Sequence, residues 1–458
     1  MGTSRIVQEF EGKTIFITGA TGFLAKIVVE KLLRVQPNVK KLLLLIRPSN
    51  ARSAEQRLHE EIIDSELFRV LRDIWGENIS CFLSSKVNPI PGDVSHENLG
   101  IINAELVNEI CGEIDFIINM AATTRFDERY DVAMDINAFG IMHVLSFAKR
   151  CPKLKLLCHV STAFLHGSRP GLLLEEPFNM GETLKGAKAS CLNIDTEKKL
   201  VEETRARLQA QNMNEKELTL TLRDLATQRA NIHGWANAYS FTKAMGEMLL
   251  MKFKENINVI IIRPTIISST CRDPFPGWIE GLRTLDSIFA AYATGKIKKF
   301  LGDPGSIIDV IPGDMVVNSI LVAMATHSNT HSRKPINVGK PEILTSITSF
   351  RRIIGIRYLP FLKMLKLVNV IFCNHFQDSY TNSKRKINRV MRLAELYEPY
   401  LFFQGIFDDA NTENLRRATI KNNTNADIMF GFDPKSIDWN EYFIKAHFPG
   451  VVKFALMQ

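Results

Sequence analysis

The sequence lacks the cysteine pattern of a disulfide-stabilised or zinc-binding protein. Its 458 residues include seven cysteines, an odd number spread from Cys81 to Cys373, and none belongs to a Cys-x-x-Cys pair. No apolar signal-peptide core precedes them, so we expect neither a signal nor a transit peptide. The cysteines are therefore interpreted as reduced core residues of a cytosol-facing protein, and no metal centre is expected.

Long uncharged apolar runs are also missing. The densest stretch, Leu359–Phe372, is interrupted by Lys363 and Lys366, and it falls short of the roughly 18 apolar residues that a spanning helix needs. Any contact with a membrane is therefore expected to be peripheral.

Charge of one sign is only modestly in excess. The formal net charge is +8 and the pI is near 9.0, which favours an anionic partner such as nucleic acid, a membrane surface or a phosphorylated small molecule. The basic residues are scattered, and zinc-finger spacing and RNA-binding aromatic signatures are absent. We therefore expect no nucleic-acid partner.

Short apolar runs alternate with helical patterns through most of the chain. Strands are predicted at Thr14–Thr18, Lys41–Ile46, Ile114–Met120, Lys155–Val160 and Asn258–Ile262, and helices at Phe23–Val35, Asp135–Arg150, Tyr239–Lys254 and Asp314–Thr326. Unbroken apolar strands separated by helices predict an α/β fold with a doubly wound parallel sheet of the Rossmann type.

Two segments depart from this alternation. Between Thr162 and Tyr239, the charged stretch Asp195–Gln211 predicts an amphipathic helix in an insertion, with one face formed by Leu200, Val201, Thr204 and Leu208. The basic, apolar stretch Phe350–Glu398 predicts further helices without strand alternation. We therefore place a domain boundary near residue 345, between a cofactor-binding domain (1–345) and a helical domain (346–458).

The turn after the first strand has the form of a dinucleotide-binding loop. Gly19 would permit a tight turn, Gly22 would let the backbone approach a pyrophosphate, and Ala25 would keep the following helix close to the sheet. The alternative is a purely structural strand-to-helix turn, but its place at the head of the alternating pattern favours cofactor binding. The expected cofactor contacts at this turn are Gly19, Thr21, Gly22, Phe23 and Leu24.

The ends of the next strands suggest the choice of cofactor. NAD-binding proteins usually carry an acidic residue after the second strand, whereas this chain has Arg47, which suits the 2′-phosphate of NADPH or is merely a solvated charge. Asp93 and Val94 follow the third strand, and Ala121 and Ala122 follow the fourth. Asp93 would accept from the adenine amine and the alanines would leave room for the cofactor, although ordinary turn chemistry explains either pair equally well.

A tyrosine and a lysine lie four residues apart on a predicted helix. Tyr239 and Lys243 share one helical face, where the ammonium would favour the phenolate form of the tyrosine and hold the nicotinamide ribose. The spacing alone is weak evidence. It gains weight from the order along the chain: the glycine turn, then Ser161 and Thr162 after a strand, then this pair, then Pro264, another expected cofactor contact, after the next strand.

In this order the chain resembles the extended short-chain dehydrogenases, and longer runs narrow the resemblance to the alcohol-forming fatty acyl-CoA reductases of plants. Those runs lie at residues 239–247, 263–267, 273–281, 309–318, 397–403, 407–411 and 432–439. The resemblance implies that Tyr239, Lys243 and Thr162 are catalytic, with Ser161 beside them. It also implies reduction of a long-chain fatty acyl-CoA to a primary alcohol through an aldehyde, with two NADPH consumed and CoA released.

Further expectations follow from this resemblance. The insertion residues Lys198, Lys199, Arg205 and Arg207 would contact CoA phosphates or form a solvated helix face. Peripheral attachment to the cytosolic face of the endoplasmic reticulum is implied by the resemblance and by the basic apolar stretch Arg351–Phe372, with a cytoplasmic location as the alternative.

The chain departs from the family pattern between His327 and Pro341, where it is shorter by a few dozen residues. In this region Ile336–Val338 is the only candidate for a final strand, and we expect it at the edge of the sheet. Two rival interpretations stay open: another extended short-chain dehydrogenase such as a sugar-nucleotide epimerase, and a shortened homologue that binds NADPH or acyl-CoA without efficient turnover.

Overall fold

A parallel sheet lies at the centre of the molecule. The computed structural model describes residues 3–49, 51–167, 169–294, 308–328, 336–338, 381, 392, 396–419 and 424–456. Within them, seven strands pair in parallel in the order β10-β7-β5-β4-β1-β2-β3. These strands are β1 (Thr14–Thr18), β2 (Lys41–Ile46), β3 (Val87–Pro91), β4 (Phe116–Asn119), β5 (Leu156–Val160), β7 (Val259–Pro264) and β10 (Ile336–Val338).

Two short parallel pairs lie outside this sheet. They are β6 (Gly171–Leu173) with β11 (Gly405–Phe407), and β8 (Ile266–Ser268) with β9 (Val310–Pro312). The first pair joins the insertion to the C-terminal part of the chain, which the sequence did not predict to contain a strand. The second continues directly from β7 and becomes part of the site described below.

The helices before residue 328 are α1 (Thr3–Glu9), α2 (Phe23–Val35), α3 (Ala54–Leu58), α4 (Arg69–Trp75), α5 (Ile79–Lys86), α6 (Ala104–Glu113), α7 (Tyr130–Ala133), α8 (Gly140–Lys149), α9 (Ile194–Ala210), α10 (Glu215–Ile232), α11 (Ala238–Phe253), α12 (Thr284–Ala293) and α13 (Gly313–His327). The helices described after residue 328 are α14 (helical over 396–401), α15 (Ala410–Thr419) and α16 (Thr424–Phe430). The chain then forms a C-terminal helical run of the segments Trp439–Glu441, Tyr442–His447, Phe448–Val451 and Val452–Leu456.

Helices cover both faces of the sheet, as its unbroken apolar strands predict. Ile15 and Ile17 of β1 pack in one apolar cluster with α2 and α13, whereas Phe16, between them in the sequence, packs in a second cluster with α6 and α8. All five residues of β1 are buried. The predicted doubly wound Rossmann-type fold is therefore confirmed.

The strand order reverses beside β1. From β1 the chain builds outward through β2 and β3 on one side, and through β4, β5, β7 and β10 on the other. Thr18 and Asn119 end the two strands that flank the reversal, and they are direct partners in the register. Open α/β sheets bind ligands at the carboxyl ends of the strands at such a reversal.

The insertion contains a second helix that the sequence analysis did not predict. Its first helix, α9, was predicted, and it buries Val201, Thr204 and Leu208 while Leu200 is only half-buried. A second helix, α10, begins after Asn214, whose side chain accepts from the backbone N–H of Glu217. One face of α10 is buried, and it is formed by Leu218, Leu222, Ala226 and Ala230. Most other residues of α10 are polar, so this face is hard to recognise in the sequence.

The predicted edge strand is confirmed, since Ile336–Val338 pairs with Ile262–Pro264 of β7 at the edge of the sheet. The proposed domain boundary near 345 and nearly all of the predicted helical stretch Phe350–Glu398, with its candidate membrane contact, lie outside the described residues. Within the residues that the structure describes, no helix is both long and apolar enough to cross a membrane.

Candidate active site

The glycine turn packs tightly against the end of the neighbouring strand. Gly19 has φ of +66°, and a Cβ on it would lie 2.7 Å from the backbone nitrogen of Ala121. Gly22 caps α2, and among the described residues no side chain makes a capping hydrogen bond to this helix. The first N–H groups of α2 are therefore available to an anion.

A chain of buried hydrogen bonds fixes the strand ends behind this turn. The Thr18 hydroxyl accepts from the backbone N–H groups of Met120 and Ala121 and donates to the amide oxygen of Asn119. The Asn119 amide nitrogen in turn lies 3.0 Å from Nδ1 of His159. Burial, with a further contribution from the Lys243 charge, holds the pKa of His159 well below its usual range. A neutral His159 can accept from Asn119, so three strand ends are held rigidly together.

The loop at 280–283 lies over the turn from the opposite side. Lys26 of α2 is buried and forms an ion pair with Glu280, and the Arg283 guanidinium lies 5.0 Å from the centre of the Phe23 ring. Because burial lowers the pKa of Lys or Arg groups without partners, such groups are normally paired or stacked in this way. The end of the run at 273–281, Glu280 and Gly281, therefore lines the site, a contact that the sequence did not predict.

The predicted catalytic residues come together at the ends of β5 and α11. Lys243 is buried, and its ammonium donates to the carbonyl oxygen of Val160 at 2.9 Å. Burial lowers the pKa of Lys243 to about 8, against the opposing charge of Glu247 one turn further along α11. Glu247 itself forms a fully buried ion pair with Arg263 of β7.

The pKa of Tyr239 is raised, which corrects the expectation that Lys243 lowers it. Burial is the main cause, a hydrogen bond with the Thr162 hydroxyl opposes it, and the nearby phenol of Tyr400 adds to it. The ammonium of Lys243 is directed to Val160 instead. Tyr239 is consequently protonated at neutral pH and suited to donate a proton.

Ser161 supplies a second hydroxyl at the same place. It is 4% exposed, its backbone N–H donates to Ile262, and its hydroxyl has no hydrogen-bond partner among the described residues. A buried hydroxyl without a partner costs free energy unless a ligand satisfies it. Ser161 is therefore available to bind a substrate oxygen beside Thr162.

A cavity of 620 Å³ connects these parts. Its lining includes, among the predicted residues, Gly19, Gly22, Phe23, Leu24, Ala122, Ser161, Thr162, Tyr239, Lys243 and Pro264. Among the lining residues that the structure describes, Thr21, Arg47, Asp93, Val94 and Ala121 do not occur. Val94 is in the core beneath the sheet, and Ala121 backs the turn at Gly19.

Arg47 and Asp93 lie together at the rim of the sheet, where Arg47 Nη1 is 3.4 Å from the Asp93 carboxylate. The Arg47 side chain is 64% exposed, so this pair contributes little to stability. Burial raises the pKa of Asp93, but hydrogen bonds from Ser95 and the Arg47 charge outweigh it, and the pKa of Asp93 is lowered. The lowered pKa keeps Asp93 ionised, beside the exposed Arg47 side chain at the ends of β3 and β2.

Aromatic residues from the C-terminal part close the other end of the cavity. Tyr400 of α14 stacks on Phe126 with ring centres 4.8 Å apart, and its hydroxyl accepts from the Asn237 amide at 2.7 Å, at the start of α11. Tyr397 also contacts Phe126. Neither Phe126 nor Tyr400 was predicted as a site residue, although the run at 397–403 had marked this segment as distinctive.

A buried carboxyl group stands directly behind the cavity wall. Asp309 precedes β9, is 1% exposed, and neither of its oxygens has a geometric partner among the described residues. Burial raises the pKa of Asp309 to about 8; the nearby Thr265 hydroxyl opposes this shift and the charge of Asp409 adds to it. Thr265 lines the cavity, so a neutral carboxylic acid supports the wall there at physiological pH.

This environment predicts a pH-dependent effect of Asp309→Asn. In the folded protein Asp309 keeps a proton that the unfolded chain releases above about pH 4. The free energy of unfolding of the wild type, relative to the variant, should therefore fall by up to about 1.4 kcal/mol per pH unit between about pH 5 and pH 7. Thermal unfolding across this range measures the difference. The exposed Asp195→Asn is the control, and a difference that does not change with pH would contradict the neutral state of Asp309.

Comparisons with known proteins cover nearly the whole chain. Two family models described as male sterility protein match residues 17–320 and 357–458. Fatty acyl-CoA reductase 1 of Arabidopsis thaliana is 46% identical, with 99% of this chain and 100% of that protein covered. The alcohol-forming fatty acyl-CoA reductase of Simmondsia chinensis is 45% identical, with 98% and 99% covered.

The first of these alignments also bears on chain length. It spans 493 positions, and this chain has 458 residues, so at least 35 positions have no residue here. The chain therefore leaves part of that alignment unfilled, and the place of the shortening, between His327 and Pro341, stays a prediction.

Among solved structures, the terminal R domain of the myxalamid biosynthetic pathway has a TM-score of 0.53 at 16% identity, covering 95% of this chain and 93% of that one. A thiolation-reductase di-domain from an archaeal non-ribosomal peptide synthetase has a TM-score of 0.51 at 17% identity, covering 100% and 81%. At this identity the similarity indicates a shared fold.

Proposed function

Because the chain belongs to the fatty acyl-CoA reductase family of male sterility proteins, we propose that it reduces a long-chain fatty acyl-CoA to the primary alcohol with NADPH. The observation that carries the proposal is the meeting of Ser161, Thr162, Tyr239 and Lys243 in one cavity with the glycine turn. Membership of this family removes the sugar-nucleotide epimerase from consideration.

The described residues fit a nicotinamide dinucleotide. Gly19 leaves no room for a side chain, the N-terminus of α2 is free for a pyrophosphate, and Lys243 is buried beside Tyr239 where a ribose would lie. The cofactor supplies hydride to the substrate when bound. Lys243 and Pro264 would hold its nicotinamide end and Gly22 its phosphates.

The hydroxyl groups of the site account for both reductions. Ser161, Thr162 and Tyr239 would donate hydrogen bonds to the thioester carbonyl oxygen and stabilise the negative charge that develops there. Transfer of one hydride to the carbonyl carbon, followed by release of CoA as the thiolate, would leave an aldehyde, whose oxygen would occupy the same position. During the second reduction the Tyr239 hydroxyl would give its proton to that oxygen, because the alkoxide that forms there is a stronger base than a phenolate.

Cofactor preference depends on Arg47. We expect Arg47→Asp to weaken NADPH binding and to narrow the preference over NADH, because it removes a charge-assisted contact to the 2′-phosphate and adds repulsion. Titration with each cofactor gives the ratio of the two dissociation constants. Arg52→Asp is the control, because it makes the same change of charge at a nearby exposed position, and it should leave this ratio unchanged. An unchanged ratio in Arg47→Asp would show that Arg47 does not bind the 2′-phosphate.

Incubation of the purified protein with NADPH and a series of acyl-CoA chain lengths, followed by analysis of alcohol and aldehyde, tests the reaction. Alcohol formation supports the proposal. NADPH binding without any reduced product would favour the rival, a shortened homologue that binds without turnover. Because β10 occupies the sheet edge, we expect cofactor binding to persist and turnover to be lower than in a full-length relative.

A further inference from the structure

A second cavity, of 570 Å³, adjoins the first one. Ile266, Ile267 and Arg283 line both cavities, so β8 and the Arg283 side chain form a common wall. The opposite wall is formed by the C-terminal helical run, including Phe443, Ile444 and Phe448. The catalytic hydroxyls and this second cavity are thus separated by only one strand.

The lining of the second cavity is mostly apolar. Leu285, Phe289 and Val310 contribute from the α12 and β9 side, facing the aromatic residues of the helical run. Most of its polar side chains bond within the protein: Ser268 bonds to the Tyr442 hydroxyl at 2.7 Å, His447 lies 3.0 Å from Asp286, and Arg283 donates to the carbonyl oxygen of Glu280 at 3.0 Å. Such a lining offers few hydrogen bonds to a polar ligand and favours an apolar one.

The volume of the first cavity indicates that it does not enclose the reacting groups and a long acyl chain together. Pockets of 300–1,000 Å³ typically enclose one drug-sized ligand, and the first cavity, at 620 Å³, must receive the nicotinamide end of the cofactor and the thioester. A long acyl chain therefore needs further space next to Ser161 and Tyr239. At the mouth of the second cavity, Ile444 is 68% exposed, and an aliphatic chain would cover such apolar surface favourably.

We propose that the second cavity holds the aliphatic tail of the acyl group, with the tail running past Ile266 and Ile267 along the C-terminal helical run. This inference rests on the proposed function for the identity of the ligand. It assigns chain-length selection to the wall formed by α12 and the C-terminal helical run, since each methylene buried there strengthens binding about fourfold.

Occupancy can be measured without turnover because Trp439 lines this cavity. The probe is dibromostearic acid, whose bromines quench a tryptophan only on close approach. We expect saturable quenching in the wild type and its loss in Trp439→Phe. The other three tryptophans of the chain, Trp75, Trp235 and Trp278, are not among the described lining residues. Absence of saturable quenching, or quenching that survives in Trp439→Phe, would overturn the assignment.

Chain-length dependence provides the second test. Ile444→Glu places a charge at the cavity mouth, and we expect the ratio of kcat/KM for a long-chain to a short-chain acyl-CoA to fall by about tenfold or more, the loss of two or more methylene contacts. Ile428→Glu is the matched control, because Ile428 is 69% exposed in the same part of the chain and does not line the cavity. An equal effect of both variants would overturn the inference.

The two arms separate this inference from the proposed function. If the wild type reduces no acyl-CoA, the proposed reaction fails, while quenching of Trp439 still reports whether an aliphatic chain enters the cavity. If the wild type reduces acyl-CoA but Trp439 is not quenched, the reaction stands and the position of the chain is wrong.

Discussion

Tyr239→Phe is expected to lower kcat for acyl-CoA reduction by at least about 100-fold, the usual contribution of a positioned proton donor. The phenol shares a hydrogen bond with Thr162 and lines the cavity beside Ser161, so its loss removes the proton for the alcohol oxygen. The ring would still pack against Phe126. Cofactor binding should therefore stay close to that of the wild type.

Tyr397→Phe is the matched control, because it removes a phenol from the same cavity. Tyr397 has no assigned role in proton transfer, and removing its hydroxyl should cost no more than about tenfold in rate, at most the worth of one ordinary hydrogen bond. Single-turnover kinetics with saturating NADPH, together with calorimetric titration of the cofactor, separates chemistry from binding. More than about a tenth of the wild-type rate in Tyr239→Phe would show that the phenol is not the proton donor.

Gly19→Ala is expected to abolish cofactor binding, weakening it by more than about 100-fold, equivalent to nearly 3 kcal/mol. An alanine Cβ would lie under 3 Å from backbone atoms of both Met120 and Ala121, so the turn must move away from the strand end. That movement displaces the N-terminus of α2, where the phosphates are expected to bind.

Gly12→Ala is the control for Gly19→Ala, because it places a Cβ in the same backbone conformation without a steric clash. Gly12 has φ of +64°, almost the value at Gly19, but a Cβ there meets nothing within 4 Å. Gly12→Ala should lower the free energy of unfolding by only about 1–2 kcal/mol, because a residue with a Cβ is strained in the left-handed conformation. Cofactor affinity should be unchanged. Thermal unfolding and cofactor titration of both variants test this; wild-type affinity in Gly19→Ala would remove the turn from the cofactor site.

Local patterns made the first part of the fold predictable. The bounds of β1, α2 and β2 match the predicted ones at both ends, because unbroken apolar runs and a glycine at the helix start act over a few residues. The insertion helix α10 and the strand β11 were missed. The partner of β11 is distant in the sequence, with Gly405 beside Gly171, and no local pattern encodes such a pairing. The apolar face of α10 is local, but it is narrow among many polar residues.

The sequence by itself determined which chemical groups the site contains, because the four-residue spacing of Tyr239 and Lys243 and the glycine turn are properties of single helices and turns. Tertiary structure alone decided how those groups behave. Burial raises the pKa of Tyr239 and brings that of Asp309 to about 8, and burial depends on everything packed around a residue. Tertiary structure also brings Tyr400 to the site and forms the second cavity, because both depend on C-terminal segments that pack against residues distant in the sequence.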